Sequence, residues 1–117
     1  MEHAVCPSEA IQPGELRAFV IGGRSIVVAR TGDGTYHALR NLCSHQGAPL
    51  DAGRLVDEVQ SDRVGSFEVA ACKSVLRCPW HGYEFSATTG RCLADPEHQR
   101  VRTYPVTIKD ATVVVDV

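Results

Sequence analysis

Leu16-Arg17-Ala18-Phe19-Val20-Ile21 and Ser25-Ile26-Val27-Val28-Ala29-Arg30 stand on either side of Gly22-Gly23. Two β-type runs joined by a diglycine have one compact solution, an antiparallel hairpin, because only such turns need left-handed backbone at both central residues. Gly32-Asp33-Gly34 then leads into Tyr36-His37-Ala38-Leu39-Arg40 and extends the hairpin to a three-stranded meander. Near the C-terminus, Tyr104-Pro105-Val106-Thr107-Ile108 and Thr112-Val113-Val114-Val115-Asp116 flank Lys109-Asp110-Ala111, a second hairpin rich in β-branched residues. Leu55 to Gln60 is the one short helix-compatible stretch, and it carries no apolar stripe. The expected class is all-β.

With 117 residues, residues 1–117 are expected to form a single domain. Hydrophobic residues at 44% and charged residues at 22% are ordinary for a globular chain. Twelve Lys and Arg against fourteen Asp and Glu give a net charge of -2, which argues against a nucleic-acid partner held by phosphate neutralisation. Apolar runs such as Ile26-Val27-Val28-Ala29 fall far short of the roughly 20 residues needed to span a bilayer. Met1-Glu2-His3-Ala4-Val5-Cys6-Pro7 lacks the basic flank and apolar run of a secretory leader, so a cytoplasmic location is expected. Five cysteines, an odd number, fit metal or redox chemistry better than a disulfide scaffold.

Between Leu42 and Pro96 the β pattern is diluted by Gly, Pro, Ser and Asp, and an irregular middle is expected where the chemistry sits. Two cysteine-histidine pairs stand in it, Cys43-Ser44-His45 and Cys78-Pro79-Trp80-His81. Gly47 and Gly82 follow the histidines, where a backbone must pass close to a bulky ligand, and Pro79 stiffens the second loop. The surroundings repeat: Gly47, Leu50 and Gly53-Arg54 after His45, and Gly82, Phe85 and Gly90-Arg91 after His81. Two loops of the form turn, apolar anchor, turn would each supply one thiolate and one imidazole to a shared centre. A tetrahedral zinc ion is one occupant for such a set, although zinc loops usually pair C-x-x-C with H-x-x-x-H.

Cys43-Ser44-His45-Gln46-Gly47-Ala48-Pro49-Leu50 and Cys78-Pro79-Trp80-His81-Gly82-Tyr83-Glu84-Phe85 resemble the two signature stretches of the Rieske family. The resemblance continues through Thr89-Gly90-Arg91-Cys92-Leu93 and Tyr104-Pro105-Val106. It implies stacked antiparallel sheets with a two-loop cluster-binding part, about residues 41–96, inserted in a β base. It also implies a 2Fe-2S cluster held by Cys43 and Cys78 on one iron and by His45 and His81 on the other. Neutral imidazoles make such a cluster less negative than an all-cysteine one, and their outer nitrogens let its potential fall at high pH.

High-potential members of the family carry a further cysteine in each ligand loop, joined as a disulfide. Here the matching stretches hold Pro49-Leu50 and Trp80, so no such bridge forms. Those members also direct Ser and Tyr hydroxyls at the sulfurs; the corresponding positions are Tyr83 and Phe85, and the Tyr donor is missing. Fewer hydrogen bonds place the potential near the low end of the Rieske range, about -150 mV. That is the ferredoxin type associated with oxygenases.

The resemblance therefore implies a one-electron carrier, not itself an enzyme, that takes electrons from a flavin-dependent reductase and passes them to a terminal oxygenase. An accessory subunit similar to the small subunit of nitrite reductase is the alternative, and a zinc-stabilised binding module a further one. The docking face is expected around the two loop tips. Residues 46–77, with Asp51, Asp57, Glu58 and Asp62 against Arg54 and Arg63, form either a solvated loop or a decorated hairpin that shapes a partner surface. Cys6, Cys72 and Cys92 are assigned no chemistry, Cys72 and Cys92 reading as small buried hydrophobes. His37 and His98 read as packing or surface residues, Trp80 as packing over the site, and Asp95-Pro96 as a turn, whether ordinary or covering the cluster.

Overall fold

The structure is a computed structural model and describes residues 1–42, 49–58, 70–79 and 83–117. Its strands are β1 (Glu2–Pro7), β2 (Leu16–Ile21), β3 (Arg24–Arg30), β4 (Tyr36–Arg40) and β5 (Arg54–Glu58). They continue as β6 (Ala70–Arg77), β7 (Glu84–Ser86), β8 (Thr103–Tyr104), β9 (Val106–Lys109) and β10 (Thr112–Asp116), with single 3-10 turns at Ser8–Ala10 and Leu50–Ala52. Three antiparallel sheets result, in the strand orders β2-β3-β4-β8, β1-β10-β9 and β5-β6-β7. Among the described residues no helix is long and apolar enough to cross a membrane.

The diglycine turn forms as its chemistry requires. Gly22 and Gly23 take φ of +58° and +77°, and Ile21 stands opposite Arg24. The apolar run behind it becomes the middle of the molecule. Ile26, Val27, Val28 and Ala29 are all fully buried, and successive side chains enter different cores. Val27 and Ala29 join Leu39, Leu50, Leu55, Leu76, Phe85 and Cys92 on one face. Ile26 and Val28 join Ile11, Ala38, Tyr104, Val113 and Val115 on the other. A strand covered on both faces reads as an unbroken apolar run, which explains why Ser25–Arg30 shows no alternation.

Two expectations need correcting. The middle of the chain is not wholly irregular, because β5 pairs with β6 and β6 with β7. Leu55, Val75, Leu76 and Phe85 provide the buried positions, and polar residues between them hid the pattern. The helix-compatible stretch from Leu55, where no helix was expected for want of an apolar stripe, lies on β5 as far as Glu58. The Tyr104–Ile108 run is two strands: β8 pairs with β4, and after Pro105 β9 pairs with β10. Proline has no N–H for a ladder, so the chain changes sheets there, while the Pro105 carbonyl accepts the Asp116 N–H at 2.9 Å. The sequence also concealed β1, which pairs along β10 with an irregularity between Ala4 and Cys6.

Candidate metal centre

β4 delivers the chain to the first ligand loop at Asn41-Leu42, and the chain returns at Pro49. Cys43, His45 and Gly47 lie between, outside the described residues. The return is anchored by Leu50, fully buried in the same core as Phe85. Entry and exit are tied together: the Asn41 side-chain amide donates to Asp51 Oδ1 at 2.9 Å, and the Asp51 N–H donates to Asn41 Oδ1 at 2.8 Å. Asn41 is itself fixed to β3, its N–H donating to the Ser25 carbonyl at 3.0 Å and its Nδ2 to Ser25 Oγ at 3.1 Å. This clasp was not foreseen; the signal available was an Asn and an Asp bracketing the C-x-H stretch.

The second loop leaves β6 at Cys78, which is buried, with only 2% of its surface exposed. Its N–H donates to the Tyr83 carbonyl at 2.7 Å, tying together the ends of a stretch that begins with Pro79. Trp80, His81 and Gly82 lie in that loop, outside the described residues. Tyr83 packs on the first core and Phe85 is fully inside it, so the position occupied by Phe85 offers no hydroxyl.

The two loops meet. A Cβ on Gly53 would come within 1.9 Å of the Arg77 carbonyl oxygen, so only glycine lets the exit of the first loop press against the residue preceding Cys78. Gly90 plays the same part beyond the second loop, where φ is +74° and a Cβ would stand 2.1 Å from the Val101 carbonyl oxygen. Of the repeated pattern, the apolar anchors and later turns are Leu50 with Gly53 and Phe85 with Gly90, while Gly47 and Gly82 lie outside the described residues. A cleft of about 360 Å³ lined by Ala52, Gly53, Arg54, Arg77, Cys78 and Pro79 opens at the junction.

Among the described residues no three metal-binding side chains converge. Cys78 is the described member of the expected set, and its setting suits a thiolate-bound cluster: a buried sulfur-bearing residue at the mouth of a tight loop, beside the packed exit of the C-x-H loop. The donor set of two thiols and two imidazoles matches that group chemically.

Of the remaining cysteines and histidines, Cys92, His37 and His98 sit where packing or surface roles were expected. Cys92 is fully buried in the first core. Cys72 lies on β6, and Cys6 is half-buried, its thiol pushed up by desolvation against the smaller opposing effect of Arg17. His37 bonds Thr35 Oγ1 at 3.0 Å, and its pKa is lowered by burial, with Asp33 opposing. His98 pairs with Asp95 at 2.9 Å in an exposed turn. Asp62 and Arg63 lie outside the described residues. β5 and β6 make the 46–77 stretch in part a hairpin.

Comparison with known proteins gives this arrangement its family. The chain is 29% identical over 115 residues to human apoptosis-inducing factor 3, a match that takes in 98% of this chain but spans only 16% of that protein's length. To the ferredoxin component of biphenyl 2,3-dioxygenase from Rhodococcus jostii (strain RHA1) it is 30% identical, over 96% of this chain and 89% of that one. The fold superposes on the ferredoxin of carbazole 1,9a-dioxygenase from Nocardioides aromaticivorans IC177 with a TM-score of 0.75 at 30% identity, covering 98% and 96% of the two chains. The family model for the Rieske [2Fe-2S] domain matches residues 1–105, so the chain belongs to that family and its cofactor is a Rieske-type 2Fe-2S cluster.

Proposed function

We propose that the protein is a one-electron carrier that accepts an electron from a flavin-dependent reductase and passes it to a terminal oxygenase, without transforming substrate itself. The observation that carries this reading is the match to a dioxygenase ferredoxin component along nearly the whole of both chains. The similarity to the carbazole dioxygenase ferredoxin supports it at the level of fold and size. We read residues 1–117 as one domain in which residues 41–96 form the cluster-binding part on a β base, and we place the protein in the cytoplasm.

In this reading Cys43 and Cys78 hold one iron, and His45 and His81 the other. When bound, the cluster supplies reversible one-electron chemistry. The chain's own contribution is positional. The Asn41–Asp51 clasp ties the ends of the first loop, the Cys78 N–H bond to Tyr83 ties those of the second, and Gly53 lets the chain after the first pack on Arg77 before the second. Leu50 and Phe85 anchor both loops in one core that excludes water from beneath the site.

A reductive titration with NADH and a catalytic amount of a flavoprotein reductase tests the carrier role. One electron taken up per chain, released again to an oxygenase, is the expected result, and no uptake contradicts it. The ligand set is tested by His45→Cys and His81→Cys, each of which should lose the cluster or lower its potential toward the all-cysteine value of about -400 mV. An unchanged potential in either variant contradicts the assignment.

A further inference from the structure

Arginines crowd the strand ends that carry the ligand loops. Arg24, Arg40 and Arg102 line a cleft of about 440 Å³ together with Asn41 and Leu42, where β4 runs into the first loop. Arg54 and Arg77 line the second cleft, beside Cys78. All five are exposed. Asn41 borders the first cleft and Ala52 the second, and the Asn41–Asp51 clasp joins them, so the arginines straddle the mouth of the first ligand loop.

Stability does not account for this placement. Arg54 stands directly opposite Arg77 across β5 and β6, and the Arg40 N–H donates to the Arg102 carbonyl at 2.9 Å across the end of β4 and β8. Like charges facing each other across strands are destabilising. The ion pairs among the described residues, Met1–Asp116, His98–Asp95 and Lys109–Glu2, neutralise none of the five. Arg102 rests its guanidinium over the Tyr104 ring at 5.2 Å. Of the described acids beside the patch, Asp51 has its carboxylate taken up by Asn41, and Glu84 stands opposite Arg77 across β6 and β7 but is not among those ion pairs. The chain as a whole carries a net charge of -2, so this is a local concentration and not a general excess of base.

We infer that this arginine-lined face is the docking surface for a redox partner whose own electron-transfer face is rich in carboxylates. The inference rests on the electron-carrier reading and adds the chemistry of the partner. A patch of one sign around an electron-transfer site steers an oppositely charged partner into register and speeds encounter, an effect that salt removes.

The test uses the reduced holoprotein and two oxidants of opposite charge, ferricyanide and tris(phenanthroline)cobalt(III), mixed by stopped flow across a range of salt. One electron leaves the protein and turns ferricyanide into ferrocyanide, or Co(III) into Co(II), with no atom transferred. The expected rate with ferricyanide is high at low salt and falls as salt rises. In R24E/R40E/R102E it drops by about tenfold at low salt, while the rate with the cobalt cation rises. That rise separates loss of the patch from loss of the fold. The uncharged R24Q/R40Q/R102Q variant should fall between the two. R40E and K109E change the net charge equally, and only R40E should slow ferricyanide. Poly-L-glutamate, a macromolecular carboxylate surface, should inhibit the wild-type reaction and spare the reversed variant. Equal rates in wild type and reversed variant, a wild-type preference for the cation, or indifference to poly-L-glutamate would overturn the inference while leaving the carrier reading intact. Failure to reduce either oxidant would overturn both.

Discussion

Asn41 and Asp51 bracket the first ligand loop with two short hydrogen bonds, and the pair can be exchanged without losing either. With Asp at 41 and Asn at 51, the backbone N–H of residue 51 still finds an acceptor, and the new side-chain amide donates back. N41D alone sets two carboxylates against each other. It should cost about 1–2 kcal/mol and hasten iron loss, whereas N41D/D51N should restore both melting temperature and iron retention. A double variant as unstable as N41D would mean that the bonds are incidental. Cys78 and Gly53 teach a related lesson: the cysteine was visible as a ligand type, but the reason for the glycine, a carbonyl 1.9 Å from where its Cβ would stand, is visible only in three dimensions.

Turns decide how the strands pair, and two of them make predictions. Asp110 and Ala111 close the β9–β10 hairpin with φ of +51° and +56°, a conformation that costs a residue with a Cβ about 1 kcal/mol or more. The Ala111 carbonyl still receives the Ser8 N–H at 2.8 Å whatever the side chain, so A111G should stabilise the protein by up to about 1 kcal/mol in urea unfolding. A loss of stability would contradict that account. In the turn before β4, Asp33 accepts bonds from the Thr31 and Thr35 hydroxyls and from the Thr35 N–H, which hold its carboxyl at about 2, below the ordinary 3.8. A depressed carboxylate stabilises the fold above its unfolded pKa and loses that contribution as pH falls toward its folded one. The melting temperature of wild type should therefore exceed that of D33N from pH 5 to 7, with the gap narrowing below about pH 4. A gap independent of pH would remove the charge from the explanation.

The same elements show why part of the fold was legible. Gly22-Gly23 and the β-branched run of β3 each admit one local answer, so the meander and the C-terminal hairpin could be read directly. β5, β6 and β7 could not, because their inward residues, Leu55, Val75, Leu76 and Phe85, stand among exposed Arg54 and Arg77 and half-buried Ser74 and Ser86. β1 was hidden because its partner, β10, lies at the opposite end of the chain. Pro105 was read as a strand residue when it marks a change of sheet. The cysteine-histidine pairs stood out because their spacing is chemical. The clasp and the arginine clefts did not, because they depend on which strand ends the fold brings together.

At the scale of the whole molecule, β3 and β4 form a shared wall between two cores, and Leu50 and Phe85, which flank the two cysteine-histidine stretches, are buried in the core that also holds Leu76. That division suits the proposed carrier role: one core stiffens the base, and the other holds the residues that flank both stretches. Phe85, fully inside that core, offers no hydroxyl, and fewer hydrogen bonds to a cluster favour a low potential. The most direct test of the central claim is the reduction potential of anaerobically purified protein, with iron and sulfide counted on the same sample. The account predicts two iron and two sulfide per chain and a potential near the low end of the Rieske range, about -150 mV. Zinc in place of iron, no redox signal, or a strongly positive potential would contradict it.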